Sequence, residues 1–318
     1  MRVRTVLATL GALAAGTLAL NSLAAALIRR YEDLDPETVE RPGGMVYVRG
    51  TGLHYVERGA GPPLVLVHGF LGSTVTFSDL IERLAPYRRT VALDLPGFGY
   101  SDRPLDIDRS HTAVAELLCA ALDRLGIARA AVLGHSMGGV IAARLAAAHP
   151  ERVERLILVG SPAPDEVRRL PLYPLLRPVL PILFALTLAN LPRLRRSLRG
   201  LTYEPAFLTD DRWQAYTRPS RLRGSTYALI KLLADIRRDV PLDPARIGVR
   251  TLLLWGEADT AVPLRVAHRL HALLPDARLE VVPRAGHLVL EEQPDASADA
   301  ILRFLGASTP TRACEATP

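Results

Sequence analysis

Gly134-His135-Ser136-Met137-Gly138 sets a serine between two glycines. It follows the apolar run 130–133 and opens a small-residue stretch, 137–148, of helical periodicity. A strand that turns sharply into a helix lifts such a serine clear of the sheet, and the turn is so tight that the residues two positions either side must be small. The following helix aims free N-terminal amides and its positive dipole end at any negative charge that develops beside the hydroxyl. That constellation suits nucleophilic attack on a carbonyl.

A serine hydroxyl is a poor nucleophile at neutral pH and needs a base within hydrogen-bond reach. The chain has eight histidines. His135 belongs to the serine turn and is expected to point away from the side of attack. His54 lies in an opening hairpin, His68 follows a strand, His111 begins a helix and His149 closes one. His268 and His271 stand three apart on a helix. His287 follows a late strand on a glycine-bearing loop, at the end of a sheet where ligands gather, and is the candidate base. Its tautomer needs an orienting carboxylate. Asp259, four residues past the run 251–255, is one candidate; Glu257 beside it and Asp165, after the run 156–159, are others.

These residues must be positioned by a sheet. Continuous apolar runs of strand length occur at 64–67, 90–94, 130–133 and 156–159, after a hairpin pattern at 45–48 and 53–57. Helix-like segments near 75–85, 111–125 and 137–148 separate them. The pattern resumes with strand 251–255, helix 264–274, strand 278–282 and helix 295–305. Strands apolar on both faces, alternating with helices, predict a mostly parallel sheet covered on both sides. The core is therefore 45–162 with 241–306, interrupted by 163–240, and residues 307–318 form a flexible Ser/Thr/Pro-rich tail.

Residues 5–28 carry no charge, with Arg2 and Arg4 before them and Arg29 and Arg30 after. As a helix of roughly 1.5 Å per residue they reach about 36 Å, enough for a hydrocarbon core of about 30 Å. Segment 1–30 is thus expected to be a membrane anchor. The alternative is a signal peptide cleaved near Ala24-Ala25-Ala26, giving a secreted or periplasmic protein. Residues 31–44, with Pro36, Pro42, Gly43 and Gly44, read as a linker.

Taken together, these motifs resemble the α/β-hydrolase family over roughly residues 45–306. His68-Gly69-Phe70 is similar to its oxyanion loop. Asp94 through Ser101 resembles the loop after the next strand, read as a structural turn. Gly256-Glu257-Ala258-Asp259, with Val262-Pro263 behind it, resembles the acid-bearing turn, and Gly286-His287 before Glu291 the histidine loop. The resemblance implies an α/β-hydrolase fold with a triad of Ser136, Asp259 and His287. It further implies an oxyanion hole from the backbone N–H groups of Phe70 and Met137, a helical cap at 163–240, and no metal or organic cofactor. Relatives that are haloalkane dehalogenases or epoxide hydrolases carry aspartate where Ser136 stands. The Ser-Met-Gly-Gly run 136–139 is shared with C–C bond hydrolases of the meta-cleavage type and with cofactor-free haloperoxidases.

Composition narrows the field. A hydrophobic fraction of 49% excludes a disordered or collagen-like chain, and two cysteines cannot build a disulfide framework. The net charge of +6 is local, since segment 163–240 holds 14 Lys and Arg against 7 Asp and Glu. A local patch argues against nucleic acid as a partner. Within that segment, Arg193, Arg195, Arg196 and Arg199 follow the apolar run 182–191, an order compatible with a cap over an apolar pocket or with a bilayer surface. With only 5% aromatics, a stacking site for sugars or nucleobases is disfavoured. The expected activity is hydrolysis of a small hydrophobic or acyl-lipid carboxylic ester at a membrane. C–C bond hydrolysis is the enzymatic alternative, and a catalytically silent hydrolase-fold binding protein the non-enzymatic one.

Overall fold

The computed structural model describes residues 2–166, 176–188 and 190–306, with side chains from residue 15 onward. The expected tail 307–318 and the prolines at 171 and 174 lie outside the described residues. Eight strands form one sheet: β1 (Gly44–Val48), β2 (Thr51–Arg58), β3 (Pro63–Val67), β4 (Arg89–Leu93), β5 (Ala130–His135), β6 (Val153–Val159), β7 (Thr251–Gly256) and β8 (Ala277–Val282). Their order is β1-β2-β4-β3-β5-β6-β7-β8. β1 and β2 pair antiparallel, as do β2 and β4, and every later pair is parallel.

Helix α1 (Arg2–Tyr31) precedes the sheet, and α2 (Ser78–Leu84), α3 (His111–Arg124) and α4 (Met137–Ala148) follow β3, β4 and β5. Between β6 and β7 lie α5 (Leu180–Leu188), α6 (Leu191–Arg199), α7 (Asp210–Thr217) and α8 (Ser225–Asp235). The chain continues through α9 (Leu264–Leu273), α10 (Val289–Glu292) and α11 (Pro294–Leu305). Alternate strand residues go to opposite faces. Val65, Val132, Leu253 and Trp255 pack with α3, α4 and α9; Leu66, Leu133, Leu252 and Leu254 pack with α2 and α11. Both faces are dry, which is why the strands are written as unbroken apolar runs. This is the α/β-hydrolase fold expected from the sequence. Its register brings Val67 beside Gly134, His135 beside Val159, Val159 beside Leu254 and Gly256 beside Val282. The loops that leave β3, β5, β6, β7 and β8 consequently share one rim.

The N-terminal segment departs from expectation. Among the described residues no helix is long and apolar enough to cross a membrane. Instead, Ala24 and Ile28 of α1 are buried against Ala185 of α5, with Ile182 and Leu188 packed beside them. Asn21 Nδ2 donates to Pro178 O at 2.9 Å. Ala24 and Ile28 thus meet protein, whereas Leu18, Leu20, Leu23 and Leu27 stay exposed; with no helix able to cross a membrane among the described residues, the membrane-anchored placement is withdrawn. The secreted or periplasmic alternative gains no support from this arrangement. Of Arg193, Arg195, Arg196 and Arg199, Arg195 is tied internally, to Asp210 and to Leu208 O.

The start of segment 31–44 is also stitched to the inserted helices. Leu34 and Leu222 form a parallel β-bridge, with Leu34 N donating to Arg221 O and Arg223 N to Leu34 O, both at 3.1 Å. Asp33 pairs with Arg221 and Asp35 with Arg223. Buried Glu32 accepts from Gly224 N at 2.8 Å and Thr226 N at 2.6 Å. Those are amides at the start of α8, where Gly224 itself offers no capping side chain. A carboxylate from a distant segment therefore satisfies helix-end donors and meets the positive end of the dipole. Replacing Glu32 with Ala leaves two amides without an acceptor, so Glu32→Ala is expected to cost about 1–3 kcal/mol. Urea unfolding checks this, as does faster proteolytic nicking around 218–226; unchanged values for both would refute it.

Candidate active site

Ser136 joins β5 to α4 with φ 52° and ψ −121°, a region that costs a non-glycine residue on the order of 1–3 kcal/mol. The neighbourhood enforces that conformation. A Cβ at position 134 would lie 2.2 Å from Gly138 O, and one at position 138 would lie 2.2 Å from Val67 O. Ser136 N donates to Val159 O at 2.8 Å, pinning the turn to β6. The amides of Phe70 and Met137 donate to no protein group among the described residues. The two segments are adjacent: a Cβ on Gly69 would stand 2.9 Å from Ser136 Cβ.

On the same rim, His287 Nδ1 is 2.9 Å from Asp259 Oδ2, with both side chains buried. The other carboxylate oxygen of Asp259 accepts from Ala261 N at 2.9 Å and Val262 N at 2.8 Å. Two backbone donors thus lock one oxygen and aim the other at the imidazole. Glu257 is exposed on the same turn, and Asp165 is ion-paired with Arg269, so neither is the carboxylate that meets His287. Among the described residues no hydrogen bond joins Ser136 Oγ to His287. Such bonds are commonly long before substrate arrives and tighten in the complex.

His135 does not point away from this centre. Its ring centroid lies 4.9 Å from that of His287, and its Nε2 donates to His287 O at 2.9 Å. Burial above all, and the neighbouring His287, push its pKa down to about 3, so it stays neutral and can keep that bond. His68 is buried too, with Nδ1 donating to Gly69 O at 2.8 Å and Nε2 accepting from Leu95 N at 3.0 Å. It braces the 68–72 loop against the loop after β4. There Asp94 accepts from Thr74 N at 2.6 Å, Tyr100 N at 2.8 Å and His54 Nδ1 at 2.7 Å. That residue organises turns, as expected.

Two carboxylates follow the histidine: Glu291, which the resemblance includes in the histidine loop without a role, and Glu292, which it does not mention. Glu291 is buried at the junction of α10 with α7. It accepts from the Tyr216 hydroxyl and lies 3.7 Å from Arg212, which itself donates to Asp79 at 2.8 Å and covers the Phe207 ring at 4.2 Å. Burial raises the Glu291 carboxyl from its ordinary value near 4.5 to about 8, against the pull of Tyr216 and Arg212. Glu292 accepts from Gly286 N at 2.9 Å and Tyr203 N at 2.6 Å. The available signal was two acids directly after the apolar triplet Leu288-Val289-Leu290.

Residues 62–294 match the family model of the alpha/beta hydrolase fold. The chain belongs to the α/β-hydrolase family. Among this hydrolase's relatives, haloalkane dehalogenase 2 of Mycobacterium tuberculosis is 30% identical over 264 residues, 80% of this chain and 91% of that one. The 2-hydroxy-6-oxo-2,4-heptadienoate hydrolase of Pseudomonas putida is also 30% identical, covering 79% of this chain and 91% of its own. A crystal structure of a membrane phospholipase A, described as a bacterial virulence factor, superposes with a TM-score of 0.70 at 26% identity. It covers 96% of this chain and 98% of its own, so the likeness extends into α1.

The hydrolase should show the titration of Glu291 in its stability. Its folded carboxyl holds a proton that the unfolded chain has released, so between about 4.5 and about 8 the native state binds more protons. The contribution is complete below the unfolded value and is lost as pH rises through the folded one. Melting temperature is expected to fall across that window in the wild type and to fall less in Glu291→Gln, which keeps an acceptor for Tyr216 without a titrating proton. Parallel pH curves for the two proteins would refute it.

Proposed function

We propose that this α/β-hydrolase is a serine hydrolase that cleaves carboxylic esters of a small hydrophobic or acyl-lipid type. In this reading Ser136 is the nucleophile, His287 the base, Asp259 its orienting acid, and the Phe70 and Met137 amides the oxyanion hole. The observation that carries it is the Asp259–His287 hydrogen bond, 2.9 Å long, on the rim from which Ser136 projects in a strained turn. The helices between β6 and β7 act as the cap.

The steps follow from the groups. Ser136 Oγ bonds to the ester carbonyl carbon while His287 Nε2 takes the hydroxyl proton. The carbonyl oxygen becomes an oxyanion facing two unengaged amides at the start of α4 and in the 68–72 loop, where such donors stabilise it most. The imidazolium is stabilised by Asp259 through Nδ1–H. The carbon–oxygen bond to the alcohol breaks, and the departing alkoxide collects the proton from Nε2. Water, deprotonated by the same nitrogen, then releases the acid and restores Ser136.

Apolar surface near the serine supports a hydrophobic substrate: Phe70 and Leu71 are 44% and 43% exposed. The phospholipase relative favours an ester-bearing lipid, whereas the heptadienoate hydrolase favours C–C bond hydrolysis by a similar centre. Serine at position 136, rather than aspartate, disfavours dehalogenation.

Ser136→Ala and His287→Ala are expected to lower kcat on p-nitrophenyl esters by on the order of 10⁶, and Asp259→Asn by about 10⁴. The Asn effect has a geometric cause. The amide oxygen must occupy the site facing Ala261 N and Val262 N, so the NH₂ group faces His287 Nδ1. The ring proton then moves to Nε2, which can no longer receive one from serine. No turnover at any acyl length, with turnover of a vinylogous diketone, would move the assignment to C–C hydrolysis. Failure of Ser136 to react with a fluorophosphonate would remove the serine-hydrolase reading.

A further inference from the structure

The base is held by more than its carboxylate. Its own peptide group is clamped on both sides: His287 N donates to Leu201 O at 2.7 Å, and His287 O accepts from His135 Nε2 at 2.9 Å. Leu201 belongs to the turn between α6 and α7, within the inserted helices. That turn lies along the catalytic rim for four residues. Thr260 Oγ1, next to Asp259, donates to Gly200 O at 3.1 Å, and Tyr203 N donates to Glu292 Oε2 at 2.6 Å. Glu292 Oε1 accepts from Gly286 N at 2.9 Å. The approach leaves no slack, since a Cβ at position 286 would stand 2.4 Å from Leu201 O and 2.9 Å from Tyr203 N. One carboxylate therefore binds an amide of the cap with one oxygen and an amide of the histidine loop with the other.

We propose that Glu292 is a positioning residue for the reaction, joining the cap turn 200–203 to the loop of His287 so that the base is correctly placed only while that turn is seated. This rests on the reading of His287 as the base. Glu292 has no bond to Ser136, Asp259 or the imidazole, so it acts through the main chain. Cap and base become one unit along this seam: lifting the turn removes the acceptor of His287 N and frees Gly286 together. A cap that opens for substrate is then required to open along its other edges.

Glu292→Gln tests this with almost no change of shape, because the amide keeps one acceptor oxygen and turns an NH₂ group against a backbone N–H. Activity on a short p-nitrophenyl ester is measured per active site, counted by the burst of nitrophenol. We expect kcat per site to fall on the order of 10–100-fold, the penalty of a base displaced by a fraction of an ångström to one ångström, with KM changed less than about twofold. The acid limb of the kcat/KM profile should move to lower pH, because a weaker Nδ1–H bond to Asp259 stabilises the imidazolium less. A merely structural Glu292 would lower burst amplitude and melting temperature and leave per-site kcat and the acid limb where they were; that result overturns the proposal.

A second measurement does not use turnover. The His287 Nδ1 proton, held by a buried carboxylate, should give a downfield, slowly exchanging NMR signal that broadens or disappears in Glu292→Gln. Persistence of the wild-type signal in Glu292→Gln overturns the proposal. A wild type with this signal but no turnover of any ester counts against the ester assignment instead, and the NMR comparison still decides the role of Glu292.

Discussion

A buried carboxylate with one oxygen fixed by two backbone amides has only one direction left in which to accept a hydrogen bond. At Asp259 that direction is His287 Nδ1. The amides belong to Ala261 and Val262, and Trp255 Nε1 donates to Val262 O at 2.8 Å, so the turn is tied back to the strand it leaves. Strand β7 sits between β6 and β8, with both faces buried. The direction of one lone pair is therefore set by the packing of the whole sheet. A flexible acid on the surface would orient an imidazole only part of the time. Here the acid has been given no alternative.

The fold was legible because a sheet covered on both faces needs apolar residues at every position of its central strands. That requirement leaves runs such as 64–67 and 251–255, and the structure has a strand at each. The serine turn was legible for a related reason: Gly134 and Gly138 are there because main chain passes where their side chains would be. His287 and Asp259 could be approached by chain order and loop position, and the structure joins those two rather than Glu257 or Asp165. His135 was misread. Its neighbours in sequence say that it lies in the turn, but only the three-dimensional course of β5 against the last loop says that its ring faces His287 O.

The N-terminal helix marks the limit of hydropathy as a guide. A long uncharged Ala/Leu segment has the same composition whether lipid or protein covers it. Composition does not announce a partner elsewhere in the chain, and for Ala24 and Ile28 that partner is Ala185 on α5, small enough to let them approach closely. The polar residues just after α1 carried a related signal that composition could not interpret. Glu32, Asp33 and Asp35 fall in a segment that reads as a linker, yet each has a specific basic or amide partner between Arg221 and Thr226. Charge in a loop reports its chemistry and leaves its partner unnamed when that partner is nearly two hundred residues away.

The same reasoning applies to the acids that follow His287. Burying a carboxylate is unfavourable unless donors surround it, and the molecule meets that condition in two ways within consecutive residues. Glu292 accepts from two backbone amides, which offset part of the burial that raises its carboxyl, and this suits a joint that has to hold its geometry. Glu291 has one phenol and a guanidinium 3.7 Å away, and burial still holds its proton to about pH 8. Both join the inserted helices to the loop of His287. A hydrophobic seam there would have held the inserted helices as firmly, but apolar contacts are non-directional and tolerate sliding. Hydrogen bonds to main-chain amides do not, and in the proposed triad, where His287 has to meet the Ser136 hydroxyl within a few tenths of an ångström, neighbours that fix position as well as proximity are required.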